Sequence, residues 1–230
     1  MKRRAFITLV GGAAASAWPL PLSAQQAERM RRIGVLMAVA ADDLQGQARL
    51  TAFVQGLQQL GWTDGRNLRI DTRWAAGDPD RLRRYAAELV ALPPDAIFVS
   101  GGSGMAPMLQ ATRTVPIVFA QVTDPVGAGF VESLARPGGN ATGFAQFEYG
   151  ISGKWLELLK EIAPRVTRAA VLRDPAIASG PAQFGILQSL APSLGVELTP
   201  VNVRDAGEIE RAVTAFARTG NDGLIVAASA

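Results

Sequence analysis

The chain has 230 residues, 48% of them hydrophobic, enough apolar material for an ordinary globular core. Its net charge is +3, from 23 Lys and Arg against 20 Asp and Glu; Lys2, Arg3 and Arg4 supply all of it, so residues 25–230 balance and the basic character gives no support for nucleic-acid binding. There is no Cys and no His, which excludes disulfides, thiol nucleophiles, lipid attachment through Cys, thiolate or imidazole metal sites, Ser-His-Asp triads and His general bases.

Residues 1–24 read as an export signal. Lys2-Arg3-Arg4 is a charged start, Phe6 to Leu22 is apolar and small, and Leu22-Ser23-Ala24 is a cleavage site that leaves Gln25 first. Arg3-Arg4-Ala5-Phe6-Ile7 resembles a twin-arginine signal, with an ordinary secretory signal as the alternative. Pro19 and Pro21 break the segment, and it is too short to favour a membrane span.

From residue 31 onward, strand and helix patterns alternate. Ile33–Ala38 is an apolar strand, followed by a helix from about Gln45 with Leu50, Phe53, Leu57 and Leu60 on one stripe and Gly61 as its stop. Leu68–Trp74 is the second strand. Asp78 caps the next helix with Pro79 at its first position, Leu82, Tyr85, Ala86 and Leu89 form its buried stripe, and Pro93-Pro94 ends it. Ala96–Ser100 is the third strand, and Ser100-Gly101-Gly102-Ser103-Gly104 opens a helix to about Thr112. Near-continuous apolar strands alternating with helices point to a parallel, doubly wound α/β sheet.

Pro116–Gly143 is the organising stretch. Ile117–Ala120 is a strand, Gln121-Val122-Thr123-Asp124-Pro125 a polar elbow, Phe130–Ala135 a short helix, and Arg136-Pro137-Gly138-Gly139-Asn140 a stop before a strand from Ala141 to Phe144. The alternation then restarts. A helix carries Trp155, Leu156, Leu159 and Ile162; Ala169–Leu172 is a strand; a helix from about Pro181 carries Phe184, Leu187, Leu190 and Leu194. Val196–Val203 is a strand, Asp205 to Glu208 a capping box for a helix with Ile209, Val213 and Phe216, and Gly223–Ala227 the last strand.

The order VTDPVGAGFVESLARPGGNATG, residues 122–143, resembles the signature of ABC-transporter substrate-binding proteins of the TrpX-like type. The likeness extends through LTAFVQGLQQLGWTDGRNL upstream and KWLELLKEIAP downstream, and covers nearly all of residues 31–226. The resemblance implies the type I periplasmic-binding-protein fold: two Rossmann-like lobes, here residues 25–143 and 151–230, with a hinge crossing at 144–150. Such proteins cross between lobes three times. Only the first crossing is present, so the resemblance implies an incomplete second lobe and weak or absent ligand binding by residues 25–230 alone. It also implies a soluble, monomeric periplasmic protein that is not lipid-anchored, takes a small molecule such as an amino acid, and hands it to a membrane permease. No enzyme activity, cofactor, metal or nucleic acid is expected.

In open parallel sheets ligands bind beyond the carboxyl ends of the strands. The first-lobe elbows are residues 39–44, 100–104 and 121–125, and the second-lobe elbows are 173–180, 202–205 and 227–230. The candidate contacts are Ser100, Gly102 and Ser103, whose turn offers backbone N–H groups to an anion or is simply a tight connection. Gln121, Thr123 and Asp124 follow, with Asp124 either meeting a ligand or capping the next turn. Phe144 is a flat partner for a ligand or a packing residue, as are Phe147 and Tyr149, and Asp174 and Ser229 complete the set. Relatives place Thr or Ser followed by Pro where this chain has Ser100 and Ser103 differently spaced, so ligand identity is open. The rival readings are an exported sensory receptor and an exported Rossmann-like enzyme, the latter disfavoured by the absent His, Cys and G-x-G-x-x-G spacing.

Overall fold

The computed structural model describes residues 30–203, 206–217, 220 and 222–227. The expected export signal, the capping residue Asp205 and the candidate contact Ser229 lie outside the described residues. The first elements are β1 (Arg31–Met37), α1 (Leu44–Gln59), β2 (Leu68–Trp74), α2 (Pro79–Ala91), β3 (Ala96–Ser100), α3 (Met105–Ala111), β4 (Ile117–Val122) and β5 (Ala141–Ala145). The five strands form one parallel sheet in the order β2-β1-β3-β4-β5.

Alternation along each strand decides which helix it meets. Phe98 of β3 turns to α1, where Phe53 stacks on it at 4.3 Å between ring centroids. Ile97 and Val99 turn the other way and share a buried cluster with Leu82 and Leu89 of α2 and Met105 and Met108 of α3. β1 begins two residues earlier than its apolar run, because Asp95 satisfies its charged start: the Arg32 amide donates to Asp95 Oδ2 at 2.8 Å and Arg31 Nη1 to Oδ1 at 2.8 Å. α2 starts as expected. Asp78 accepts from the amides of Asp80 and Arg81, and the Arg81 bond above all holds its carboxyl below the usual carboxylate range. Arg81, Arg83 and Arg84 pair with Asp78, Asp80 and Glu88, so this basic run is a solvated helix face.

The second group is α4 (Ile151–Ile162), β6 (Arg168–Arg173), α5 (Ser179–Leu190), β7 (Glu197–Asn202), α6 (Ala206–Phe216) and β8 (Asp222–Val226). Its strands form a parallel sheet in the order β7-β6-β8. β6 is covered on both faces: Ala169 and Val171 cluster with Leu156, Phe184 and Leu187, while Ala170 and Leu172 meet Ile209, Val213 and Phe216. Leu224 and Val226 of the edge strand β8 remain 47% and 64% exposed. No helix among the described residues is long and apolar enough to cross a membrane.

The expected helix over Phe130–Ala135 is absent. Its backbone hydrogen bonds go elsewhere: the Phe130 and Val131 amides donate to the Pro125 carbonyl, the Glu132 amide to the Pro137 carbonyl, and the Arg136 amide to Ser133 Oγ. The one helix-like turn forms earlier, where the Ala128 amide donates to the Asp124 carbonyl at 2.9 Å.

β5 lies against β4 in register, Gly143 opposite Phe119. The two backbones approach so closely there that a Cβ on Gly143 would overlap the Phe119 carbonyl oxygen. Gly143→Ala should therefore destabilise the protein by about 1–3 kcal/mol, the usual cost of overpacking a site that backbone surrounds. Urea denaturation checks it; an unchanged midpoint would show that β5 can shift away without loss.

Candidate functional site

Strand ends from both sheets face one cavity of about 310 Å³. The five-stranded part contributes Gly102, Gln121, Thr123, Ala128, Phe130 and Tyr149; the other part contributes Ile177, Ala178 and Ser179, at the start of α5. The lining is mixed. Phe130, Tyr149 and Ile177 offer apolar surface, Gln121, Thr123 and Ser179 offer hydrogen-bonding side chains, and among the described residues no acidic or basic side chain lines the cavity.

The elbow after β4 has an unusual backbone. β4 loses register with β5 between Phe119 and Val122, a bulge that places Gln121 at φ 60°. Asp124 follows at φ 42°. Left-handed backbone is uncommon for residues other than glycine and collects at functional positions. Here the strain is held by the Asp124 carboxylate. Its Oδ1 accepts from the Gly127 amide at 2.7 Å and its Oδ2 from the Tyr149 amide at 3.1 Å, while its own amide donates to the Phe147 carbonyl at 2.8 Å. Asp124 thus ties the elbow to residues 146–150, through which the chain passes from β5 to α4.

The facing elbow after β6 is fixed by local contacts. Asp174 Oδ1 accepts from the Ala176 amide at 2.8 Å. Gly180 lets the start of α5 approach the Asp174 carbonyl oxygen, where a Cβ would overlap it. These contacts set where Ile177, Ala178 and Ser179 stand.

Of the residues singled out from sequence, Gly102, Gln121, Thr123 and Tyr149 meet in this cavity. Ser103 and Asp174 line a second one of about 650 Å³, between α2, α3 and the elbow after β6, which shares only Ile177 with the first. Asp124 borders a third, open depression with Pro125, Val126 and Glu148. Ser100 is buried at the end of β3 and lines none of the three. Phe144 is 77% exposed on β5 and also lines none of them, since its side chain turns outward from the edge strand. Phe147 packs edge-on against Trp155, 5.9 Å between centroids. Sequence reasoning did not single out Phe130 or Ala128, because their segment reads as helix; Ile177–Ser179 fall inside an expected elbow but carry no distinctive side chain.

Burial raises the Tyr149 phenol above its ordinary value, and the Asp124 charge adds to the effect. Among the described residues, no group of three acidic side chains gathers closely enough to hold a metal ion.

Residues 32–229 match the family model described as ABC transporter substrate binding protein. A tyrosine-binding protein of Clostridioides difficile (strain R20291) is 27% identical over 189 residues, which are 82% of this chain and 54% of that protein. The crystal structure of an ABC domain from Streptococcus pneumonia, in complex with L-Trp, is 25% identical with a TM-score of 0.71, covering 84% of this chain and 64% of that one. A conserved domain protein from Vibrio cholerae is 30% identical with a TM-score of 0.72, covering 82% and 62%. The chain therefore spans about half to two thirds of the length of these relatives.

Asp124→Ala removes the acceptor of two backbone amides in different segments. The expected cost is about 2 kcal/mol, with faster amide exchange at Gly127 and Tyr149. Denaturation with residue-resolved exchange checks it; unchanged protection at Tyr149 would mean that residues 146–150 are held without the carboxylate.

Proposed function

The chain belongs to the family of ABC transporter substrate-binding proteins, and from that premise we propose that it is the solute-binding component of an importer, taking a small amino-acid-like molecule at the cavity between its two sheets. One observation carries this reading: the cavity is lined from both sheets at once, by Gly102, Gln121 and Thr123 on one side and Ile177, Ala178 and Ser179 on the other. A ligand that touches both sides stabilises the arrangement that holds them together, which is how binding becomes a signal to a partner. The relatives' ligands, tyrosine and L-Trp, combine a polar backbone end with a flat apolar side chain. The lining offers both kinds of surface: backbone N–H groups at Gly102 and the side chains of Gln121, Thr123 and Ser179 for the polar end, Phe130, Ile177 and the Tyr149 ring for the apolar one.

Of the contacts expected from sequence, Gly102, Gln121, Thr123 and Tyr149 belong to this proposed site. Residues 1–24 serve as the export signal, residues 25–143 and 151–230 as the two lobes, and residues 144–150 as the hinge. Delivery in the periplasm to a permease, by a monomer and with no covalent chemistry, completes the proposal. A transcription-regulator or nucleic-acid role finds no support in the balanced charge of residues 25–230.

Calorimetry with L-tryptophan and L-tyrosine tests the reading. For a chain extended to the relatives' length the expected Kd for one of them is about 10–100 µM, roughly −5 to −7 kcal/mol, and residues 25–230 alone should bind more weakly or not at all. Native mass spectrometry of the freshly purified extended chain should show a co-purified small molecule. No binding of either amino acid and no co-purified mass would defeat the proposal.

Gln121→Gly separates structure from binding. Relief of the left-handed backbone offsets the entropy that glycine loses on folding. Stability should stay within about 1 kcal/mol of the parent, while affinity falls roughly tenfold as one polar contact is lost. Unchanged affinity would remove Gln121 from the site.

A further inference from the structure

Tyr149 is held in place more firmly than a hinge residue needs to be. Its amide donates to Asp124 Oδ2 at 3.1 Å, and its carbonyl accepts from Ser152 Oγ at 2.6 Å and from the Ser152 amide at 3.1 Å. Ser152 is itself fully buried. The side chain these bonds position is only 7% exposed and lines the cavity. Its hydroxyl is shut off from solvent and has no hydrogen-bond partner among the described residues.

A buried tyrosine hydroxyl nearly always finds a partner, and leaving one unpaired costs roughly 1–3 kcal/mol. Folding has committed the backbone of Tyr149 on both sides and left its one polar side-chain atom unmatched in a residue that lines the cavity. We infer that Tyr149 is a ligand-contacting residue whose hydroxyl pairs with a polar group of the bound solute. This rests on the proposed binding site, and deepens it by naming a contact that selects among solutes. Asp124 accepts from the Tyr149 backbone amide and its charge adds to the rise of the phenol, and among the described residues no basic side chain lines the cavity. The field at the hydroxyl therefore favours an ammonium, or a neutral N–H or O–H group, over a carboxylate. The raised phenol value keeps the hydroxyl protonated and neutral throughout the physiological range.

The location gives the contact a second effect. Tyr149 lies in residues 146–150, which join the two sheets, and it is bonded to the elbow that carries Gln121 and Thr123. A solute that engages the hydroxyl bridges this joining segment to whichever wall it also touches, so occupancy restrains the joint directly. Analogues without the polar group bind more weakly, because they do not supply the bond that the hydroxyl lacks.

The test uses Tyr149→Phe in the chain extended to the relatives' length, with L-tryptophan and its deaminated analogue indole-3-propionate as probes. In calorimetry the parent should prefer L-tryptophan, and Y149F should lose roughly 10- to 100-fold in affinity for L-tryptophan while changing little toward indole-3-propionate. In the ligand-free protein, Y149F should melt at or above the parent temperature, because an unpaired hydroxyl is removed and the ring is kept. Parent-like L-tryptophan affinity in Y149F overturns the inference and leaves the binding site standing. Equal loss toward both probes overturns the assignment of the hydroxyl to an ammonium or neutral donor. If the parent binds neither probe, the amino-acid reading of the site fails; the melting arm still decides on the hydroxyl, since a lower melting temperature for Y149F shows an internal partner and overturns the inference, whereas an equal or higher one supports it.

Discussion

The Asp124 carboxylate holds together the parts on which the site depends. Its two oxygens accept the Gly127 and Tyr149 amides, and its own amide reaches the Phe147 carbonyl. These bonds stabilise a left-handed backbone at Asp124 itself and, three residues before it, at Gln121. Without them the chain after β4 would have no reason to turn back across the strand ends, and residues 146–150 would have no fixed relation to that turn. A charged acceptor is suited to this, because bonds from amides to a carboxylate are shorter and stronger than neutral ones. Asp124, read from the sequence as either a ligand contact or a cap for the next turn, is thus committed to the protein's own backbone.

Around that tie, the two sheets contribute in different ways. The five-stranded sheet supplies shaped polar elements: the turn after β3 and the bulged elbow after β4. The three-stranded sheet supplies the start of α5, brought close by Gly180 against the Asp174 carbonyl. Neither set encloses a volume alone. Where the described lining holds no charged side chain, backbone dipoles and hydroxyls are left to match a ligand's charge, and they reward position more than net charge. Selectivity then rests on where each dipole points, and backbone strain at the elbow is consistent with that demand.

Much of the architecture was legible in the sequence because strand and helix periodicities differ and most elements obey one of them. β2 and β3 have the bounds expected from the sequence, and the Asp78-Pro79 start of α2 follows from capping chemistry alone. The two-sheet arrangement implied by the resemblance is the one observed, and it is the architecture of type I periplasmic binding proteins. What failed was local. Phe130–Ala135 has helical composition but is only six residues long, and the Pro125 and Pro137 carbonyls take its amides instead. The site was half legible: Gly102, Gln121 and Thr123 carry side chains or backbone features that mark an elbow. Phe144 was misleading because alternation along an edge strand depends on the register, which composition does not encode. Tyr149 reads in the sequence as one aromatic among several near the joining segment; only the buried, unpaired hydroxyl distinguishes it.

Hydrogen–deuterium exchange on the full chain, with and without the solute that co-purifies, tests the central claim most directly, that one ligand is held from both sheets and by the joining segment. The account predicts simultaneous added protection in four stretches, residues 101–104, 121–130, 146–150 and 177–183, and none beyond them of similar size. Protection confined to one sheet, or centred on the second cavity around Ser103 and Asp174, would contradict it.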